Sequence, residues 1–169
     1  MRAIAWLSLG LLLVARLYAQ SAQPGRPSFA IDISLRDGNV MTVGSDVRVK
    51  IVLTNTSAKT IHIAREKKPE HGEEDGYLPE VRGSGGELAP LTPCGRVVIK
   101  HEYGADPCGT ITSTPEFPVK PGETLEDGVI VTRLFKVEQP GSYAIQVSRL
   151  DRDSNVVVKS NTINVTVTQ

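Results

Sequence analysis

Apolar and polar residues take turns along most of this chain. Phe29, Ile31, Ile33 and Leu35 alternate with Ala30, Asp32, Ser34 and Arg36, the period of two expected of a half-buried strand. Asp37-Gly38-Asn39 follows with turn chemistry. Val47, Val49, Ile51 and Leu53 then alternate with Arg48, Lys50, Val52 and Thr54 in a second strand that stops at Asn55-Thr56-Ser57. Residues 60–65 predict a short third strand with Ile61 and Ile63 inward. Residues 66–76 carry no apolar side chain and read as a solvated loop. Residues 77–82 and 87–91 flank Gly83-Ser84-Gly85-Gly86 as a hairpin. Pro79 and Pro90 push it to a sheet edge, because proline cannot donate to a ladder.

The rest of the chain follows the same rule. Val97-Val98-Ile99 predicts another short strand, and 101–114 an irregular stretch. Phe117 and Val119 lead into the turn Lys120-Pro121-Gly122-Glu123, and 129–135 predicts a strand. After Gln139-Pro140-Gly141-Ser142, Tyr143, Ile145 and Val147 alternate again. Residues 151–155 form a loop, and 156–167 predict one long final strand with Ile163, Val165 and Val167 on one face. No segment after the first twenty residues shows a helical period of useful length. About eight short β-runs separated by Gly, Pro and Asn turns predict an all-β sandwich.

The first residues follow a different pattern. Met1 and Arg2 precede an apolar run over 3–15, closed by Arg16-Leu17-Tyr18-Ala19. That is the layout of a secretory signal peptide cleaved after Ala19. The run is shorter than the ~20 residues of a membrane span, and Arg16 argues against an uncleaved anchor. The expected organisation is a signal peptide over 1–19, a flexible leader over 20–28 and one sandwich domain over 29–169. Cleavage takes Arg2 and Arg16 away and leaves 17 basic against 19 acidic residues, a net charge of −2. Such a balance gives no electrostatic reason to seek nucleic acid or anionic lipid. The processed protein is expected in the periplasm or outside the cell.

Export makes pairing the simplest fate of Cys94 and Cys108. Their spacing is not the C-x-x-C of redox or metal sites.

The segments Glu138-Gln139-Pro140-Gly141-Ser142-Tyr143-Ala144-Ile145-Gln146-Val147-Ser148-Arg149 and Val158-Lys159-Ser160-Asn161-Thr162-Ile163-Asn164-Val165-Thr166-Val167 resemble the last hairpin of bacterial immunoglobulin-like sandwich domains, in which a P-G-x-Y turn opens the penultimate strand. Val49 to Ser57 is similar to their second strand. The whole resembles small exported bacterial proteins of that layout. The resemblance implies an immunoglobulin-like antiparallel β-sandwich of about seven to nine strands, and it implies no activity. Tyr143 has the place of a tyrosine corner, its ring inward and its hydroxyl on a nearby backbone group.

Candidate chemistry is sparse. His62 alternates with Ile61 and Ile63 and should point away from the core. His101 has no partner at helical spacing for a zinc motif. His71, Glu73, Glu74 and Asp75 form the densest ligand cluster, yet without the spacing of a calcium loop. No nucleophile elbow, zinc-protease motif or phosphate loop occurs. Phe29, Phe117, Phe135 and Tyr143 fall at core positions, which leaves Tyr77 and Tyr103 as free aromatics. Asn55-Thr56-Ser57 and Asn164-Val165-Thr166 match the glycosylation pattern but read as ordinary strand and turn residues.

The expectation is therefore a non-catalytic binding module without cofactor or metal. Its protein partner would meet the loop residues His71, Glu73, Glu74 and Asp75 together with Tyr77 and Tyr103. The alternative is an exported metal-binding protein or enzyme accessory domain on the same sandwich. By fold analogy only, a proteinase inhibitor belongs among the binding roles.

Overall fold

The computed structural model describes residues 25–64, 76–102, 108 and 115–169. The expected signal peptide lies outside the described residues.

The first sheet contains β1 (Phe29–Leu35), β3 (Arg48–Asn55) and β7 (Thr124–Ile130), in the order β1-β3-β7 and antiparallel throughout. The second has the order β2-β10-β8-β5, from β2 (Val40–Thr42), β10 (Ile163–Thr168), β8 (Gly141–Asp151) and β5 (Leu78–Gly83). A further strand, β9 (Val156–Lys159), pairs with β8. The strands β4 (Ile61–Ala64) and β6 (Glu116–Val119) form a separate ribbon. In order along the chain, β1, β3 and β7 take the places of strands A, B and E of an immunoglobulin domain, and β5, β8 and β10 those of C, F and G. The fold is an immunoglobulin-like β-sandwich.

The alternation predicted from sequence is what presses the layers together. Val49, Ile51 and Leu53 of β3 and Val81, Ile145, Val147 and Val165 of the facing sheet are buried. Each such side chain contributes about 1.5–3 kcal/mol by leaving water. Tyr143 opens β8 as a tyrosine corner, its hydroxyl donating to the Gln139 carbonyl at 2.9 Å. Asn55 is buried and satisfied on both ends of its amide. It donates to the Lys59 and Val119 carbonyls and accepts from the Ser57 amide and hydroxyl. Its matching of the glycosylation pattern is thus incidental.

Four expectations need correction. Residues 97–99 lie in a helix, α1 (Pro93–Lys100), not in a strand. Thr92 caps it by accepting from the Gly95 amide at 3.0 Å, and Pro93 occupies the first turn, where a missing N–H costs nothing. The strand expected over 129–135 ends at Ile130 and turns into α2 (Val131–Leu134). The strand expected over 156–167 is two, β9 and β10. Lys159 faces Ser148 and Ile163 faces Ile145, so four steps on one side match three on the other, the mark of a bulge. That break, and the short β2, bring the described strands to ten, above the expected seven to nine. Finally, Ser28 is no part of a flexible leader. Its amide and hydroxyl donate to Asp151 Oδ2 at 2.7 and 2.8 Å, and its carbonyl accepts from Thr56 and Ser57.

Candidate functional site

The hairpin after β5 and the helix α1 build an apolar concavity. Gly86 turns the hairpin with φ of 83°, a conformation that favours glycine. The Ala89 amide then bonds the Val81 carbonyl at 2.9 Å, which lays 87–89 along the outer edge of β5. Pro90 sends the chain away from the sheet, and the Lys136 amide holds the Pro90 carbonyl at 2.7 Å. The Thr92 amide bonds the Leu134 carbonyl at 2.9 Å, and the Thr92 hydroxyl donates to the Arg133 carbonyl. α1 therefore docks on α2. Gly95 sits so close to the Leu134 carbonyl that no β-carbon fits between them.

Between these elements lies a groove of about 570 Å³, with Leu78, Leu88, Leu91, Ile99 and Phe135 on its walls and Arg96 and Lys100 at its rim. Its volume is within the ~300–1,000 Å³ of ligand clefts. Leu78 is 46% and Leu88 56% exposed. Outer-face apolar surface continues across the sheet, where the cross-strand pair Leu150 and Val157 is 48% and 57% exposed.

Three charged side chains lie on the groove, Glu80, Arg96 and Lys100. Glu80 is held by Arg82 at 2.7 Å, and Arg96 lies 3.5 Å from Glu102. Lys100 is exposed.

Of the residues singled out from sequence, Cys94 and Cys108 are joined in a disulfide with their Cα atoms 5.1 Å apart. It ties Cys108 to the first turn of α1, and the Cys108 carbonyl accepts from Arg133 at 3.0 Å. His71, Glu73, Glu74, Asp75 and Tyr103 lie outside the described residues. Tyr77 is corrected: it is 0% exposed and belongs to the core, not to a contact surface. Its hydroxyl donates to Asp127 Oδ2 at 3.2 Å, and the Arg149 guanidinium stacks 4.6 Å from its ring centre. Burial pushes the Tyr77 phenol above its ordinary range, and the Asp127 carboxylate adds to this while Arg149 opposes it. His62 is exposed on β4, and His101 caps α1 in a left-handed conformation. Among the described residues no three His, Cys, Asp or Glu side chains gather as a metal site.

The groove residues carry a signal that sequence reading passed over. Pro79 and Val81 face the core, so Leu78 is out of phase with its strand. An apolar side chain on the wet face of an amphipathic strand is the kind of residue that marks a contact surface.

No family model matches this chain, and no curated protein does. Among solved structures it is similar to the CARDB domain of a Pyrococcus furiosus protein in complex with di-metal ions, at 13% identity and a TM-score of 0.39, over 84% of this chain and 89% of that one. It is also similar to Bacteroides uniformis β-glucuronidase, at 13% identity and a TM-score of 0.37, over 80% of this chain and 12% of that one. A PapD-like domain of human CEP192 gives 14% identity and a TM-score of 0.29, over 99% of this chain and 94% of that one. At these scores the fold rests on the chain's own strand order.

Proposed function

We propose that this protein is a non-catalytic interaction module that works outside the cytoplasm and meets its partner through the groove between β5 and α1. The observation that carries this reading is the exposure of Leu78 and Leu88 at an apolar concavity, in a domain whose core is complete without them. Exposed leucines in a contiguous concavity are worth their solvation cost when something covers them. The Cys94–Cys108 disulfide fits an oxidising compartment. No described helix is long and apolar enough to cross a membrane.

The test is capture of partners from a periplasmic extract by the processed protein and by its Leu88→Asp variant. Leu88 is mostly exposed, so the variant should keep its melting temperature while losing the captured protein. A partner retained in full by folded Leu88→Asp would rule the groove out.

A further inference from the structure

Aspartate is followed by glycine at Asp37-Gly38, Asp75-Gly76 and Asp127-Gly128. Such a bond can rearrange in water without an enzyme. The glycine nitrogen attacks the aspartate Cγ, and the amide proton and the carboxyl hydroxyl leave together as water. A five-membered succinimide results. Water then reopens the ring on one side or the other. Opening at Cγ restores aspartate. Opening at the main-chain carbonyl carbon gives isoaspartate, in which the main chain runs through Cγ. Nothing is oxidised or reduced, and the mass of the chain is unchanged.

Ring closure requires a backbone that can turn the glycine nitrogen toward Cγ. Asp127 and Gly128 lie within β7, in register with Ile51 and Lys50 of β3. Asp127 is 0% exposed, and its carboxylate accepts from the Tyr77 hydroxyl. The reaction there has to wait for the strand to open.

Asp37 and Gly38 meet the opposite conditions. Both are exposed, in the turn between β1 and β2. The Arg36 amide bonds the Arg48 carbonyl at 3.0 Å before them, and the Asn39 carbonyl accepts from the Thr166 amide at 2.8 Å after them. Between these two anchors, neither Asp37 nor Gly38 makes a hydrogen bond among the described residues. Beyond its chain neighbours, no atom lies within 4 Å of where a Cβ on Gly38 would sit, so the path to its nitrogen is open.

We infer that Asp37-Gly38 is a site of isoaspartate formation in the folded protein and that Asp127-Gly128 is protected. The rearrangement adds one main-chain atom to the connection between the two sheets, since β1 belongs to one and β2 to the other. Asp75 lies outside the described residues.

The test is incubation of the folded, processed protein for several weeks at neutral pH and body temperature. Peptide mapping by mass spectrometry and labelling by an isoaspartyl methyltransferase then read each bond. The peptide holding Asp37 should divide into two forms of equal mass, one of them methylated and resistant to an aspartate-specific protease. Conversion at Asp127 should be slower by about tenfold or more, because it proceeds only from an opened strand, and this gap should close when urea unfolds the chain. Asp37→Glu, at an exposed position, should keep the melting temperature and lose the label on that peptide, since glutamate would have to close a larger ring. An unaltered Asp37 peptide in the folded protein, when the same peptide converts in urea, would overturn the inference. Equal conversion at Asp37 and Asp127 in the folded protein would do the same.

Discussion

The side chain of Asn161 closes the edge of β1 by bonding both backbone groups of Ile33. Its Oδ1 accepts from the Ile33 amide at 2.8 Å, and its Nδ2 donates to the Ile33 carbonyl at 3.0 Å. A primary amide has the same donor and acceptor as a peptide unit, so Asn161 stands in for one residue of a missing neighbouring strand. The bulge between β9 and β10 brings it there. Val147 and Ser160 fasten that bulge, since the Ser160 amide meets the Val147 carbonyl at 2.8 Å and the Val147 amide meets the Ser160 hydroxyl at 2.9 Å.

Asn161→Ala should therefore destabilise the domain by about 1–3 kcal/mol, the cost of two lost bonds to partly buried backbone groups. Urea titration would read this as a lower midpoint at an unchanged slope. The uncovered edge should also raise self-association on concentration. A midpoint equal to that of the wild type would show that water replaces the amide at no cost.

Tyr77 should ionise only above the ordinary range of a tyrosine phenol. Its folded phenol is raised above the unfolded value, so its contribution to stability is complete below about pH 10 and is lost as pH climbs through the folded value. A spectrophotometric alkaline titration should show one tyrosine that ionises only together with loss of tertiary dichroism. In Tyr77→Phe that phase should vanish. The variant should be less stable by about 1–3 kcal/mol, because the buried Asp127 loses a donor.

Asp151 supplies the opposite dependence. Its burial by itself would raise the carboxyl, but hydrogen bonds outweigh it. Ser154 Oγ donates at 2.6 Å, Ser28 N and Oγ at 2.7 and 2.8 Å, and Asp153 N at 3.0 Å, so the carboxyl sits below the ordinary aspartate range. The unfolded chain then binds the proton more tightly, and the contribution to stability is full above the ordinary aspartate value and is lost as pH falls through the folded one. Asp151→Asn should cost roughly 1–3 kcal/mol at neutral pH and much less near pH 3. Equal losses at both pH values would remove the carboxylate from the account.

Reduction of the Cys94–Cys108 bridge should lower stability by about 3 kcal/mol, the chain-entropy value for a loop of ~15 residues. The paired Cys94→Ala/Cys108→Ala variant should match the reduced protein in thermal melting. An unchanged melt would place the disulfide's worth elsewhere than in stability.

The strands that make up the two sheets were legible because their alternation is strict. Phe29/Ile31/Ile33, Val49/Ile51/Leu53 and Val165/Val167 are buried as their period requires. Tyr143 was legible from P-G-x-Y, whose turn puts the hydroxyl next to the backbone it bonds. Residues 97–99 were misread because β-branched side chains favour strands. Their helix exists because Thr92 and Pro93 start it, the disulfide pins its first turn, and Gly95 admits the Leu134 carbonyl. Tyr77 was misread because it borders a charged loop, and only the folded chain reveals Asp127 and Arg149 waiting for it.

The candidate site was less legible than the fold. Leu78 and Leu88 look like core residues until the face of β5 is known, and the walls of the groove come from separate stretches of chain. By itself the sequence determined the layer architecture, the inward face of each long strand, the tyrosine corner and the two cysteines available to pair. Only the tertiary structure decided the helix at Cys94, the bulge at Asn161, the buried place of Tyr77 and the groove. The physical reason is range. Alternation acts between neighbours on one strand, whereas these four features depend on groups brought together from across the fold.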